Sequence, residues 1–182
     1  MRLNAFSYYA DFVISIALIV SFAAGVIIAP WRTRAEWLAY AALGCVIWTF
    51  IEYVIHRWVY HRLPYFQEAH AAHHAEPNAF FGAPPTLGVL LIVLVIYAPL
   101  MANNPLVANG LTSGVLIGYC AYQLLHHADH HWASAPGTWL YRARHLHALH
   151  HVHSEHVNYG ITTLLWDRAF GTLVKARQHH VA

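Results

Sequence analysis

An all-α integral membrane protein is the fold class this sequence predicts: four transmembrane helices under a histidine-rich helical cap. Three observations point there. Hydrophobic residues make up 58% of the 182 positions and charged ones only 10%, whereas an ordinary soluble domain carries about 25% charged residues. Four apolar stretches approach the length of about 20 helical residues that a bilayer core requires. Histidine occurs seventeen times, more often than lysine and arginine together, and every one falls on the same side of the expected membrane.

The first stretch, FVISIALIVSFAAGVIIA, is stopped by Pro30 and gives a helix over about 11–30. The second starts near Trp37 and runs through LAYAALGCVIWTFI to Glu52 and His56, a helix over about 36–56. In the third, APPTLGVLLIVLVIYAPLM, Pro84 and Pro85 suit a first helical turn, so the helix covers about 84–102. The fourth, PLVANGLTSGVLIGYCAYQLL, covers about 105–126. Only "ANN" precedes Pro105, so helices three and four form an antiparallel hairpin. The remainder, 57–83 and 127–182, makes the cap. One domain over 1–182 is expected, with no internal repeat, low-complexity linker or second domain. The first run is long and lacks a small-residue cleavage site, so a secretory signal peptide is not expected. Cys45 and Cys120 sit inside apolar runs and read as small buried hydrophobes; two cysteines build neither a disulfide framework nor a four-cysteine cluster. A net charge of +2 is too small to argue for nucleic acid.

Four crossings put the N-terminus, the 56–83 segment and everything after 126 on one face. That face carries Arg2, Arg57, Arg62, Arg142, Arg144, Arg168, Lys175 and Arg177, against Arg32 and Arg34 on the other. The positive-inside bias then makes the histidine face and both termini cytoplasmic.

The histidines come in four groups. HRWVYH supplies His56 and His61; HAAHH supplies His70, His73 and His74; HHADHH follows the fourth helix; HALHH supplies His147, His150 and His151. Two matching pairs, each after a transmembrane hairpin, read as ligands converging from distant parts of the chain. Imidazole suits zinc, copper, iron and nickel, and ten ligands exceed what one ion takes, so the cap is expected to hold a dinuclear site. HExxH is absent, as is the paired Glu-x-x-His pattern of soluble carboxylate-bridged bundles. HHADHH leaves three pairings open: His126 with His130, His127 with His131, and His126 with His131. On a straight helix His56 and His61 point about 140° apart, so sharing a site requires the helix to unwind near Trp58–Tyr60, or the two to approach from different directions.

The order HxxxxH, HxxHH, HxxxH, HxxHH resembles the fatty acid hydroxylase and sterol desaturase superfamily of membrane di-iron oxygenases. EYVIHRWVYHR looks like its first box, GYCAYQLLHHADHH like its third region, and HALHHVHSEHVNYGITTLLWDRAFGT like its closing region. The likeness covers roughly residues 50–175. It implies His56, His61, His70, His73, His74, His126, His130, His147, His150 and His151 as ligands of two iron ions, the GYxxY segment setting the His126/His130 register, with zinc a possible substitute in purified protein. It further implies O2 as co-substrate and hydroxylation of a C–H bond in a fatty acyl or related membrane lipid. Desaturation or carotenoid hydroxylation at the same site is the alternative. No dinucleotide fingerprint, haem attachment motif or iron–sulfur cysteine set is present, so electrons are expected from an external donor such as cytochrome b5 or a ferredoxin with its reductase. Gln123 departs from the acidic residue that relatives often carry there.

Around this set, Glu52 is one turn before His56 and is expected to accept the free N–H of a ligand imidazole, with a structural hydrogen bond as the alternative. Asn158, Asp167 and Trp166 read as supporting the ligands or closing the fold, with fold closure favoured. Asp129 reads as a solvated helix charge. His145, His153 and His156 flank the last box, and His179 and His180 lie in the tail with a bland role. Trp31, Trp37, Trp48, Tyr53, Trp58 and Tyr60 read as interface belt and core. Competing readings are a non-catalytic zinc-binding membrane protein and a metal transporter. Transport needs polar ligands through the bilayer, and apart from Glu52 and an edge Asp11 the spans offer few.

Overall fold

The computed structural model describes residues 2–81 and 86–174, and over these the chain is built of helices. Expectations for Pro84, Pro85, Lys175, Arg177, His179 and His180 lie outside the described residues. Helix α1 (Ala5–Ile27) starts where the Asn4 side chain accepts the Ser7 N–H at 2.8 Å. After Pro30, α2 (Trp31–Val54) runs back and continues as a π-helical turn, Ile55–Tyr60. The cap helix α3 (Pro64–Ala75) follows. Next come α4 (Leu87–Ile92), π-helical Val93–Tyr97 and α5 (Ala98–Met101) in one rod. Helix α6 (Pro105–His131) is capped by Asn104 and opens with proline, whose missing N–H costs nothing there. Helices α7 (Trp139–Val152) and α8 (Leu165–Ala169) complete the cap.

Two helical rods, Ala5–Ile27 and Trp31–Tyr60, are long and apolar enough to cross a membrane. The third expected span is a shorter apolar rod, Leu87–Met101, and the fourth is the 27-residue α6, which reaches five residues beyond the expected end at 126. Helix α6 is less apolar because it is the central post. Its Thr112, Ser113, Val115 and Leu116 are fully buried, Val115 and Leu116 in a core with Trp48, Val89 and Ile92.

The α2–α6 seam is made of small residues. Gly110, Gly114 and Gly118 recur every four positions, stacking on one face of α6. A Cβ on Gly114 would stand 2.7 Å from the Ala41 carbonyl carbon and 2.9 Å from its Cα, and one on Gly118 would enter the Trp48 ring. Backbones therefore meet directly, the packing by which helices associate where lipid removes the hydrophobic drive between them. Bulky apolar side chains point outward instead: Val13, Ile16, Val20, Leu38, Val46, Leu94 and Val95 are all exposed. So extensive an apolar surface marks a lipid- or partner-facing wall.

The N-terminus lies against the cap. Leu3 N donates to Phe80 O at 2.8 Å and Arg2 pairs with Glu76 at 3.4 Å. Cys45 and Cys120 are half-buried and unpaired, Cys45 Sγ facing Gly114 O at 3.3 Å.

Candidate metal centre

At the end that carries the first histidine box, α2 does not stop. It widens. In a π-helix each N–H reaches back five residues, so residues five apart lie over one another. Within Ile55–Tyr60 this removes the 140° divergence of a regular helix. The His56 and His61 rings stack at 5.3 Å with 27° between planes.

Two groups of imidazoles then form. In each, the candidate donor atoms all lie within 4.8 Å of one another. Cluster A comprises His73 of α3, His126 and His130 of α6, and His147 and His151 of α7; cluster B comprises His56 and His61, His70 of α3, and His150 of α7. Helices α3 and α7 each serve both clusters, using i and i+3 or i+4 positions on one face. Facing Nε2 atoms stand 3.0 Å apart in His73/His126, 3.2 Å in His126/His130 and 2.9 Å in His130/His147. In cluster B the separations are 3.1 Å for His56/His70 and 3.2 Å for His61/His150. Nitrogens bound at about 2.0–2.1 Å to one ion lie about 2.9 Å apart at right angles and about 3.4 Å apart tetrahedrally. The observed spacing falls between these values, so the donor set fits transition-metal ions. The tenth expected ligand, His74, belongs to neither group by this measure. It stacks on His151 at 4.1 Å and faces His70 Nε2 at 3.1 Å, between the two.

The cluster is also prepared chemically. Burial pushes the imidazole pKa down to about 3 in His73 and His150, about 4 in His61 and His130, and about 2 in His151. His70, His74 and His147 are lowered too, again chiefly by desolvation. Rings held neutral with converging lone pairs can coordinate a cation, which a protonated imidazole cannot.

Glu52 takes the structural role, not that of an imidazole's acceptor. Among the described residues its buried carboxylate accepts no imidazole N–H. It takes Ile161 N at 2.6 Å, Thr162 N at 2.9 Å and Thr162 Oγ1 at 2.5 Å. Asp167, also buried, accepts Tyr159 N at 2.9 Å, Gly160 N at 2.8 Å and Thr172 Oγ1 at 2.7 Å. Asn158, at φ 52°, donates to Leu146 O and Val174 O and accepts Val174 N, and Trp166 Nε1 donates to Thr49 Oγ1. These residues hold the segment after α7 in place. The segment in turn touches the ligands: Nδ1–H of His56 donates to Tyr159 O at 2.5 Å and that of His150 to Val157 O at 2.8 Å. A carbonyl only accepts, so both rings carry the proton on Nδ1 and present Nε2.

His127 and His131 turn away from the clusters and stack on each other at 4.4 Å, with His127 Nδ1 against Tyr8 OH at 3.3 Å. The pairing joined to cluster A is therefore His126 with His130. Asp129 corrects the sequence reading: it is 8% exposed, not solvated, and burial lifts its carboxyl to about 7 against the pull of Arg144. Its position between two inward-facing histidines carries it inside. His145, His153 and His156 are exposed.

The family model described as fatty acid hydroxylase matches residues 41–172, well over half of the chain. Mouse fatty acid 2-hydroxylase is 32% identical over 75% of this chain. The chain belongs to the fatty acid hydroxylase family. A dihydroceramide fatty acyl 2-hydroxylase of Arabidopsis thaliana is 31% identical over 72% of the chain. The chain spans 40% of the length of the mouse hydroxylase and 59% of the plant one. The solved hydroxylase domain of full-length Scs7p has the same fold, with a TM-score of 0.76 and 23% identity over 92% of this chain and 67% of that one.

Two features of this hydroxylase-family chain escaped the sequence reading. An open cavity of about 120 Å³ between α1, α3 and α6 is lined by Phe12, Tyr60, Phe66 and Tyr122, and reaches His70 of cluster B and His73 and His126 of cluster A. Asp11 at its wall is buried, accepting Tyr119 OH at 2.9 Å and Thr86 N at 2.5 Å. An acid inside an apolar helix was the available signal. Second, Arg57 lies against four aromatic rings, 5.0 Å from that of Trp58 and 5.8–6.0 Å from those of Tyr53, Tyr159 and Phe170, and donates to Tyr53 OH at 2.7 Å. Cation–π contact explains a half-buried charge among these rings, and nothing in the first histidine box announces it.

Proposed function

We propose that this chain is an O2-dependent di-iron hydroxylase acting on a C–H bond of a membrane lipid, with electrons supplied by an external donor. The observation that carries the reading is a mainly aromatic cavity opening onto both histidine clusters at once. A lipid chain in that cavity meets histidines of both clusters. The names of the relatives, fatty acid 2-hydroxylase and dihydroceramide fatty acyl 2-hydroxylase, favour carbon 2 of a fatty acyl group as the target.

Cluster A and cluster B, with His74 between them, would hold one iron each; bound iron supplies the activation of O2 and the removal of hydrogen from an unactivated C–H bond. The protein's own part is positioning. Tyr60, Phe66 and Tyr122 fix the depth of the chain, so that one carbon is presented. The exposed apolar faces of α1 and α2 support a membrane-embedded molecule loaded from the lipid side. Four spans with the clusters and both termini in the cytoplasm complete the proposal. There, exposed arginines such as Arg142 and Arg168 would steer an acidic donor such as cytochrome b5 or a ferredoxin.

The test is lipid mass spectrometry of cells with and without the protein, paired with metal analysis of material purified without chelators. A 2-hydroxylated acyl lipid that appears only with the protein, and needs O2 and reductant in vitro, is expected. Tightly bound zinc with no lipid product under any donor would overturn the assignment.

A further inference from the structure

The two histidine clusters differ in how their far nitrogens are held. In cluster B, one segment, residues 154–162, reaches three of the four rings. Val157 O accepts from His150 Nδ1 at 2.8 Å, Tyr159 O accepts from His56 Nδ1 at 2.5 Å, and Glu155 Oε2 lies 3.6 Å from His61 Nδ1. In cluster A, the Nδ1 atoms of His73, His147 and His151 are buried without a hydrogen-bond partner among the described residues. The segment is itself locked from below: Glu52 grips Ile161 and Thr162, and Asp167 grips Tyr159 and Gly160.

From this asymmetry we infer that residues 154–162 form a clamp, anchored by Glu52 and Asp167, that governs metal binding at cluster B alone. This rests on the metal-binding reading above and deepens it. An acceptor on the far nitrogen fixes the tautomer and ring orientation and makes the coordinating nitrogen a better donor; its loss typically lowers metal affinity by about 10- to 100-fold. In cluster A the rings are set by the converging helices α3, α6 and α7; the clamp bonds to α7 at His150 and Leu146, but among the described residues no hydrogen bond joins it to a cluster A ring. Glu52 and Asp167 are thus positioning residues acting through main-chain carbonyls, at one remove from the ion.

The experiment uses the full chain in detergent, loaded with zinc(II) and challenged with an excess of chromogenic chelator. Two single-cluster backgrounds separate the signals: His130→Ala to disable cluster A and His61→Ala to disable cluster B. Adding Glu52→Gln should speed zinc release about 10-fold or more in the His130→Ala background and leave release unchanged in the His61→Ala background. Glu155→Ala provides a second variant at an exposed position, with 56% of its side-chain surface accessible, and should accelerate release in the same background only. Equal acceleration in both backgrounds, or none in either, overturns the clamp. Two zinc ions per wild-type chain released independently of the clamp variants would sink this inference while leaving the di-metal reading standing. Failure of the wild-type chain to bind zinc at all would remove both.

Discussion

Replacing Gly114 by valine perturbs the seam on which both histidine clusters stand. The new Cβ would lie 2.7 Å from the Ala41 carbonyl carbon and 2.9 Å from its Cα, and the obstacle is backbone, which cannot rotate aside. Ordinary contact therefore requires α2 and α6 to part by at least several tenths of an ångström. Overpacking typically costs about 1–3 kcal/mol, and with no side chain to yield, the upper end applies. At about 2–4 °C per kcal/mol for a chain of this size, thermal unfolding in detergent should fall by on the order of 10 °C. The site should feel it as well. Helix α2 feeds cluster B through His56 and His61, and α6 feeds cluster A through His126 and His130. Because α3 and α7 bridge the two, a shift at the seam strains all four supports, while metal–ligand distances tolerate only about 0.2 Å. Metal content by mass spectrometry should drop with the melting temperature. Gly25→Ala is the control: an added Cβ there meets nothing within 4 Å, so stability should hold or rise by up to about 1 kcal/mol. A Gly114→Val protein with wild-type melting temperature and full metal content would refute direct backbone contact at the seam.

Other outcomes follow from the same geometry. Glu52→Ala strands the Ile161 and Thr162 N–H groups, at about 1–3 kcal/mol each, so a urea or thermal melt should show a loss of about 3 kcal/mol; an unchanged melt would mean the carboxylate anchors nothing. His73→Ala and His150→Ala should each abolish lipid turnover, whereas His127→Ala, outside both clusters, should retain metal and activity; full activity in His150→Ala would remove that residue from the centre. The metal-free protein should lose stability in acid. Burial holds His73 and His150 down to about 3, and His61 and His130 down to about 4, in the folded chain, against 6.5 for the free ring. The unfolded chain therefore binds more protons in that window, and stability present above pH 6.5 is lost as pH falls toward 3. A stability profile flat between pH 7 and pH 4 would contradict this.

Composition and spacing by themselves determined the helical class, the apolar exterior and which residue types would gather. The 58% hydrophobic content goes with α1 and α2 being long and apolar enough to cross a membrane, and the i, i+3 and i+4 spacings of HAAHH and HALHH put those rings on one helical face before any fold is known. Tertiary structure alone decided how the groups divide. Whether His70 joins His56 or His126 depends on where α3 lies between α2 and α6, which no local pattern encodes. A π-turn at Ile55–Tyr60 reconciled His56 with His61, because one extra residue per turn changes direction without changing sequence. Glu52 looked like an imidazole's partner since it stands one turn away. It serves a backbone more than a hundred positions later, and Asp129, read as solvated, is carried inside by the histidine beside it. Burial and long-range hydrogen bonds belong to the assembled chain. Period and composition act within a few residues, and so they end where the clusters begin.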